Sequence, residues 1–248
     1  MNEPKLNAPS LELRGLTLRY EGQPLFEGLD LTVKAGRFTA LLGASGVGKT
    51  SLLRIAAGLA VPDAGGVQAD DGQKLAGRVA WMGQQDLLYP WVRALENVTI
   101  GSRLRGEQAD KPRALALLAA VGLAGRERAL PKELSGGMRQ RVALARTLYE
   151  NRPIVLMDEP FSALDAITRA AMQELAAKLL AGRTCLLITH DPLEACRLSH
   201  SLYVMAGRPA RLGPEITVPG NPPRAPDDEA LLHKQGELLR ALLEASEA

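Results

Sequence analysis

The 248-residue sequence predicts an α/β fold: a parallel sheet core interrupted by a long helical block. Three observations predict it. The apolar runs 38–42, 154–157 and 185–188 lack the alternation of a strand with one wet face, so they read as strands buried on both sides. Helical patterns at 50–59 and 169–180 alternate with them, which is the order of a parallel sheet with crossover helices. From 87 to about 151 the character changes to Ala- and Leu-rich helical segments punctuated by Gly101, Gly106, Gly122 and Gly125.

The elements follow in order. Leu11, Leu13, Leu16 and Leu18, then Leu29, Leu31 and Val33, alternate partially across a turn at Glu21-Gly22-Gln23-Pro24, so residues 10–33 read as strands. The strand at 38–42 stops at Gly43 and a helix follows at 50–59. A short strand at 79–82 precedes the helical block, which includes a helix at 112–121. Strands return at 154–157, 185–188 and 202–205. Pro219, Pro222, Pro223 and Pro226 make a linker, and 227–245 reads as an amphipathic helix. The expected organisation is one domain over 10–220, with its core at about 10–86 and 152–212 and the insert at about 87–151. Residues 221–248 form the linker and C-terminal helix.

Composition narrows the function. Hydrophobic residues make up 46%, which excludes a wholly disordered chain. Lys and Arg total 30 against 28 Asp and Glu, so no basic footprint argues for nucleic acid and no nucleic-acid partner is expected. Cys185 and Cys196 are too few for a zinc site and read as reduced, packed thiols of a cytosolic protein. No apolar stretch is long enough to span a bilayer. Residues 1–10 are polar, contain Pro4 and Pro9, and lack the apolar region of a secretion signal.

The sharpest motif is Gly43-Ala44-Ser45-Gly46-Val47-Gly48-Lys49-Thr50, which fits G-x-x-x-x-G-K-[ST] between a strand and a helix. Its glycines let the loop curl so that backbone N–H groups converge on an anion. The helix beginning there adds its positive end. Lys49 is placed to reach the β- and γ-phosphates and Thr50 to ligate Mg²⁺. A metal-bound phosphate needs a second acidic ligand on a nearby strand. The run 154–157 ends in Asp158-Glu159. Asp158 would hold Mg²⁺ through water, and Glu159 would orient or deprotonate an attacking water.

Leu134-Ser135-Gly136-Gly137-Met138-Arg139-Gln140-Arg141 resembles the LSGGQxQR signature of ABC-transporter ATPases, with Met138 in place of the usual glutamine. Ser135-Gly136-Gly137 opens a helix, whose free N–H groups and serine hydroxyl make a second anion site. The resemblance spans about residues 11–205, with the motifs in the family's order. It implies a P-loop NTPase core with a parallel sheet, an N-terminal antiparallel β subdomain and an inserted α-helical subdomain. It implies that Tyr20 stacks on adenine and that Ser51 joins the 43–50 loop in binding ATP. Gln84, with Gln85 as competitor, matches the glutamine between core and insert, a metal ligand and catalytic contact. Ser162-Ala163-Leu164-Asp165 matches the loop after the acidic strand, which brings Asp165 to the nucleotide. Ile188-Thr189-His190-Asp191 places His190 as the switch histidine.

The resemblance further implies that two copies sandwich two ATP molecules with Mg²⁺, Ser135, Gly136 and Gly137 of one facing the γ-phosphate held by Lys49 of the other. It implies a separate membrane permease, indirectly a solute-binding protein, and a peripheral place on the cytoplasmic face of the inner membrane. Tyr89-Pro90-Trp91 would form the groove for the permease, although Trp91 reads equally as a packed core aromatic. The stretch from Gln84 to Trp91 and the later Gly207-Arg208-Pro209 resemble the nitrate, sulfonate, taurine and pyrimidine-precursor importer branch. A small polar nutrient of the hydroxymethylpyrimidine or sulfonate/taurine type is the expected solute. An exporter or lipoprotein-release ATPase, or one without a permease, is the alternative. The end of the chain is too short for an added regulatory barrel.

Overall fold

The computed structural model describes residues 8–247, so most of the polar N-terminal stretch lies outside the described residues. The chain divides into two compact units. The first takes the chain up to Val79, then Arg152–Asp158 and everything from Ala181 onward. The second comprises Ala80–Asn151 and Glu159–Leu180.

The first unit opens with β1 (Leu11–Tyr20) and β2 (Gln23–Val33), an antiparallel pair in register at Leu11↔Val33, Leu13↔Leu31 and Leu16↔Leu29. The alternating leucines meet across this pair and are buried. Next come β3 (Phe38–Gly43) and α1 (Lys49–Ala56). Then β4 (Ala64–Ala69) pairs with the other edge of β1, giving the order β2-β1-β4. Its sequence, Ala-Gly-Gly-Val-Gln-Ala, carries no strand signal of its own; pairing with β1 makes it a strand. At β5 (Val79–Met82) the chain passes into the second unit.

The main sheet of the first unit is built from β6 (Ile154–Asp158), β7 (Thr184–Ile188) and β8 (Ser201–Ala206) around β3, in the order β8-β3-β7-β6, all parallel. Every residue of β6 and β7 is buried, which is why those runs are apolar throughout. Two short strands, β9 (Arg211–Leu212) and β10 (Ile216–Thr217), flank β8 antiparallel. Helix α6 (Pro192–Leu198) joins β7 to β8 and is capped by Asp191. At the start of β8, the His200 Nδ1 accepts the Phe38 N–H at 3.0 Å. Burial, helped by Arg37 and Arg224, lowers the His200 pKa to about 4.

The C-terminal helix α7 (Glu229–Glu247) belongs to this unit. Its Leu231 and Leu238 enter a cluster with Ala40, Leu42, Ala195, Leu202 and Val204. The linker before it is held by Arg224, which is 5% exposed. The Arg224 guanidinium donates to the carbonyls of Cys196, Ser199, Val218 and Gly220 at 2.7–2.9 Å. Cys185 and Cys196 are both free and buried.

The second unit is helical, with α2 (Ala94–Leu104), α3 (Lys111–Ala120), α4 (Gly136–Tyr149) and α5 (Ala166–Leu179). Helix α4 buries Val142, Ala143, Leu144, Ala145 and Leu148 and packs against α2 and α3. Fully buried Asn97 accepts the Tyr89 N–H at 2.9 Å and donates to the Val92 carbonyl at 2.7 Å. It thereby fixes the 89–92 loop. No described helix is long and apolar enough to cross a membrane.

Candidate nucleotide site

The loop from β3 to α1 is shaped by glycines at positive φ: Gly43 at 149°, Gly46 at 78° and Gly48 at 112°. At Gly43 a Cβ would collide with the Met205 carbonyl, so β8 itself requires glycine there. At Gly48 a Cβ would stand 3.0 Å from the Leu25 Cδ2. Gly48 caps α1 without a side-chain bond, so the first N–H groups of the helix are left for an anion. Lys49 is 8% exposed, and its ammonium donates to the Gly43 and Ala44 carbonyls at 2.7 and 2.9 Å. The charge is thus held over the loop that would cradle phosphate.

Parallel packing of β3, β7 and β6 carries Asp158 to the same end of the sheet. The Thr50 hydroxyl donates to the Asp158 Oδ2 at 2.8 Å, and Asp158 is 2% exposed. A hydroxyl beside a carboxylate offers hard oxygen donors suited to Mg²⁺, which takes few protein ligands and completes its shell with phosphates and water. The paired donor set matches that sparse mode of binding. Tyr20, at the end of β1, is exposed, and its hydroxyl lies 3.3 Å from the Ser51 Oγ. His190 is exposed two residues past the end of β7.

The remaining motif residues lie in the second unit. Glu159 follows β6 with φ at 47°, the left-handed region that glutamate rarely adopts. The Gln84 amide donates to the Glu159 Oε2 at 3.4 Å. Gln85 is exposed as well, but it is Gln84 that meets Glu159. Ser135 caps α4, its Oγ accepting the Met138 N–H at 3.2 Å. The carboxylate of Asp165 caps α5 by accepting the Thr168 N–H at 3.0 Å, which lowers its pKa.

Several supports around these residues were invisible in the sequence. Arg139 pairs with Asp86 at 3.0 Å, and Arg146 donates to the carbonyls of Asp86 and Leu87 at 2.6 and 2.9 Å. These contacts hold the chain just after Gln84. Before it, the Trp81 ring covers Gly83 so closely that a Cβ there would meet the ring at 2.6 Å. Trp91 is 75% exposed, which overturns its reading as a packed core aromatic. Its ring meets Tyr89 edge-on, with centroids 5.9 Å apart.

A glycine-rich loop with a buried lysine, a threonine–aspartate pair at the end of the strand two places away in the sheet, and a serine-capped helix start form the pattern of an ATP-binding cassette. The ABC transporter family model matches residues 26–162. An aliphatic sulfonates import ATP-binding protein, SsuB 1, from Rhodococcus jostii is 45% identical, covering 99% of this chain and 98% of the relative. An uncharacterized ABC transporter ATP-binding protein from Haemophilus influenzae is 41% identical over 94% of this chain and 98% of its own length. Among solved structures, the dimeric post-hydrolysis state of the ATP-binding cassette MJ0796 with ADP and Pi superposes with a TM-score of 0.75 at 30% identity. It covers 85% of this chain and 99% of its own. The chain belongs to the ABC transporter family and is an ABC ATPase.

Proposed function

We propose that two copies of this chain close head to tail on two ATP molecules. Their closure drives import of a small polar nutrient of the sulfonate or taurine class through a separate membrane permease. The observation that carries the reading is that one chain holds two helix starts suited to an anion. One is the Gly43–Thr50 loop beside Asp158 and the other is the Ser135-capped α4. Charge that spreads over the γ-phosphoryl oxygens during hydrolysis needs preorganised donors, and the second start is available to a neighbouring copy's nucleotide. Dimeric cassettes among the similar structures support that arrangement.

In this reading the loop N–H groups and Lys49 bind the β- and γ-phosphates, and Tyr20 stacks on adenine. Thr50 and Asp158, with Gln84, hold Mg²⁺, which neutralises phosphate oxygens when bound. Glu159 takes the proton of the water that attacks the γ-phosphorus, and His190 steadies the γ-phosphate. Ser135, Gly136 and Gly137 of the second copy close over the same phosphate, and Asp165 reaches the nucleotide across the dimer. The exposed Tyr89–Trp91 edge faces the permease. The solute class rests on relatives at 45% and 43% identity that are named for aliphatic sulfonate import.

Deleting the gene in its own host is expected to abolish growth on an alkanesulfonate as sole sulfur source. Full growth there, with loss of growth without hydroxymethylpyrimidine, would replace the solute class. Glu159→Gln is expected to keep ATP affinity, cut hydrolysis by about 10²-fold or more, and run as a dimer with ATP on a sizing column. Hydrolysis at the parental rate would remove Glu159 from the chemistry.

A further inference from the structure

We infer that Gln140, one turn into α4, is a positioning residue that ties the serine–glycine helix tip to the general base. The inference rests on the roles proposed above for Glu159 and Ser135. Gln140 is 4% exposed, and both ends of its amide are used. Its Nε2 donates to the Glu159 carbonyl at 3.1 Å, and its Oε1 accepts the Ala163 N–H at 2.9 Å. Only a side chain with a donor and an acceptor at that reach satisfies both partners, because glutamate cannot donate and methionine does neither.

The bridged segment, 159–163, is the one that holds the backbone of Glu159 at φ 47°. The Ser162 Oγ also donates to the Glu159 carbonyl, at 3.1 Å. A strained backbone persists only where its surroundings over-determine it, and these donors, with the Ser162 N–H at 3.4 Å, help to fix the peptide. The same helix turn touches the segment a second time: a Cβ on Gly137 would lie 3.3 Å from the Ala163 carbonyl. Helix α4 is therefore bonded at Gln140 to the loop that aims Glu159, and Gly137 lets the helix tip approach that loop closely. A shift of the tip when Ser135 engages the other copy's phosphate passes through one rigid helical turn to the peptide of this copy's own base.

The test uses the full-length chain with Gln140→Met. Hydrolysis is followed over a range of ATP concentrations, in the parental and the Glu159→Gln backgrounds. A misaimed base predicts a kcat lower by about 10–100-fold with the KM for ATP within about twofold, since Lys49 and Thr50 are untouched. It also predicts no further loss when Gln140→Met is added to Glu159→Gln, because both changes remove the same contribution. Equal fractional losses in the two backgrounds, a KM that rises in step, or an unchanged kcat would each overturn the proposal. Gln140→Glu supplies the same reading if the methionine variant fails to fold: it keeps the acceptor for Ala163 and, when ionised, sets a repulsion in place of the bond to Glu159, so kcat is expected to fall at least as far. Parental hydrolysis by Glu159→Gln alone would instead strike the proposed role of Glu159, so the two failures are distinguishable.

Discussion

Glu159 holds a left-handed backbone that costs a residue with a Cβ about 1–2 kcal/mol. Glu159→Gly is therefore expected to exceed Glu159→Ala in stability by up to about 1 kcal/mol, read as a higher urea midpoint, although both lose hydrolysis. Equal midpoints would mean that the loop relaxes without that angle. Lys49 sits at the other extreme, its ammonium already bonded to the two carbonyls that open the loop. Lys49→Ala removes hydrogen bonds between charged groups worth about 1.5–3 kcal/mol, so nucleotide titration is expected to show affinity at least about tenfold weaker. Unchanged affinity would place the phosphates elsewhere. At this scale the sequence singled out candidates whose chemistry has a fixed spacing, such as Lys49, Thr50, Asp158 and Glu159. It did not reveal the backbone angle of Glu159 or the bridging amide of Gln140. Both depend on segments distant in sequence that meet only in the folded chain.

Among the elements, β3 with its following loop shapes the candidate phosphate site, and β8 constrains that loop at Gly43. A methyl at Gly43 strikes the Met205 carbonyl, so Gly43→Ala is expected to lose ATP binding and lower thermal stability together. Retention of both would show that β8 yields. The start of the same strand depends on His200, whose neutral imidazole accepts the Phe38 N–H. Its folded pKa of about 4 lies below the ordinary 6.5. Between those values the unfolded chain binds the extra proton, so this contribution is complete above pH 6.5 and is lost as pH falls toward 4. His200→Gln keeps an acceptor without titrating, and its urea midpoint is expected to fall less steeply from pH 7 to 5 than the parent's. Parallel curves would remove His200 as the cause. Strands with continuous apolar runs were legible because both faces are buried. Strand β4 was not, since two glycines and a glutamine become a strand only by bonding to β1.

For the whole molecule, the sequence disclosed the alternation of sheet and helix and the inserted helices, because periodicity survives without knowledge of partners. The end of the chain was readable only as a linker and an amphipathic helix. Its attachment by Arg224 was hidden, since the carbonyls that Arg224 bonds come from α6, the segment before β8 and residues 218–220. Removing 221–248 would uncover Ala40, Leu42, Leu202 and Val204, now packed under Leu231 and Leu238. That truncation is expected to aggregate, or to melt well below the full chain, in a scanning fluorimetry series. An unaltered melting curve would make α7 an appendage.

The chain's two tryptophans flank Gln84. One indole is pressed over Gly83 and the other stands in water at Trp91. Emission excited at the red edge therefore arises wholly from the bend that bears this glutamine. Iodide quenching would dim the outer fluorophore more than the half-buried inner one, so an unlabelled sample carries its own optical gauge of that bend as nucleotide comes and goes.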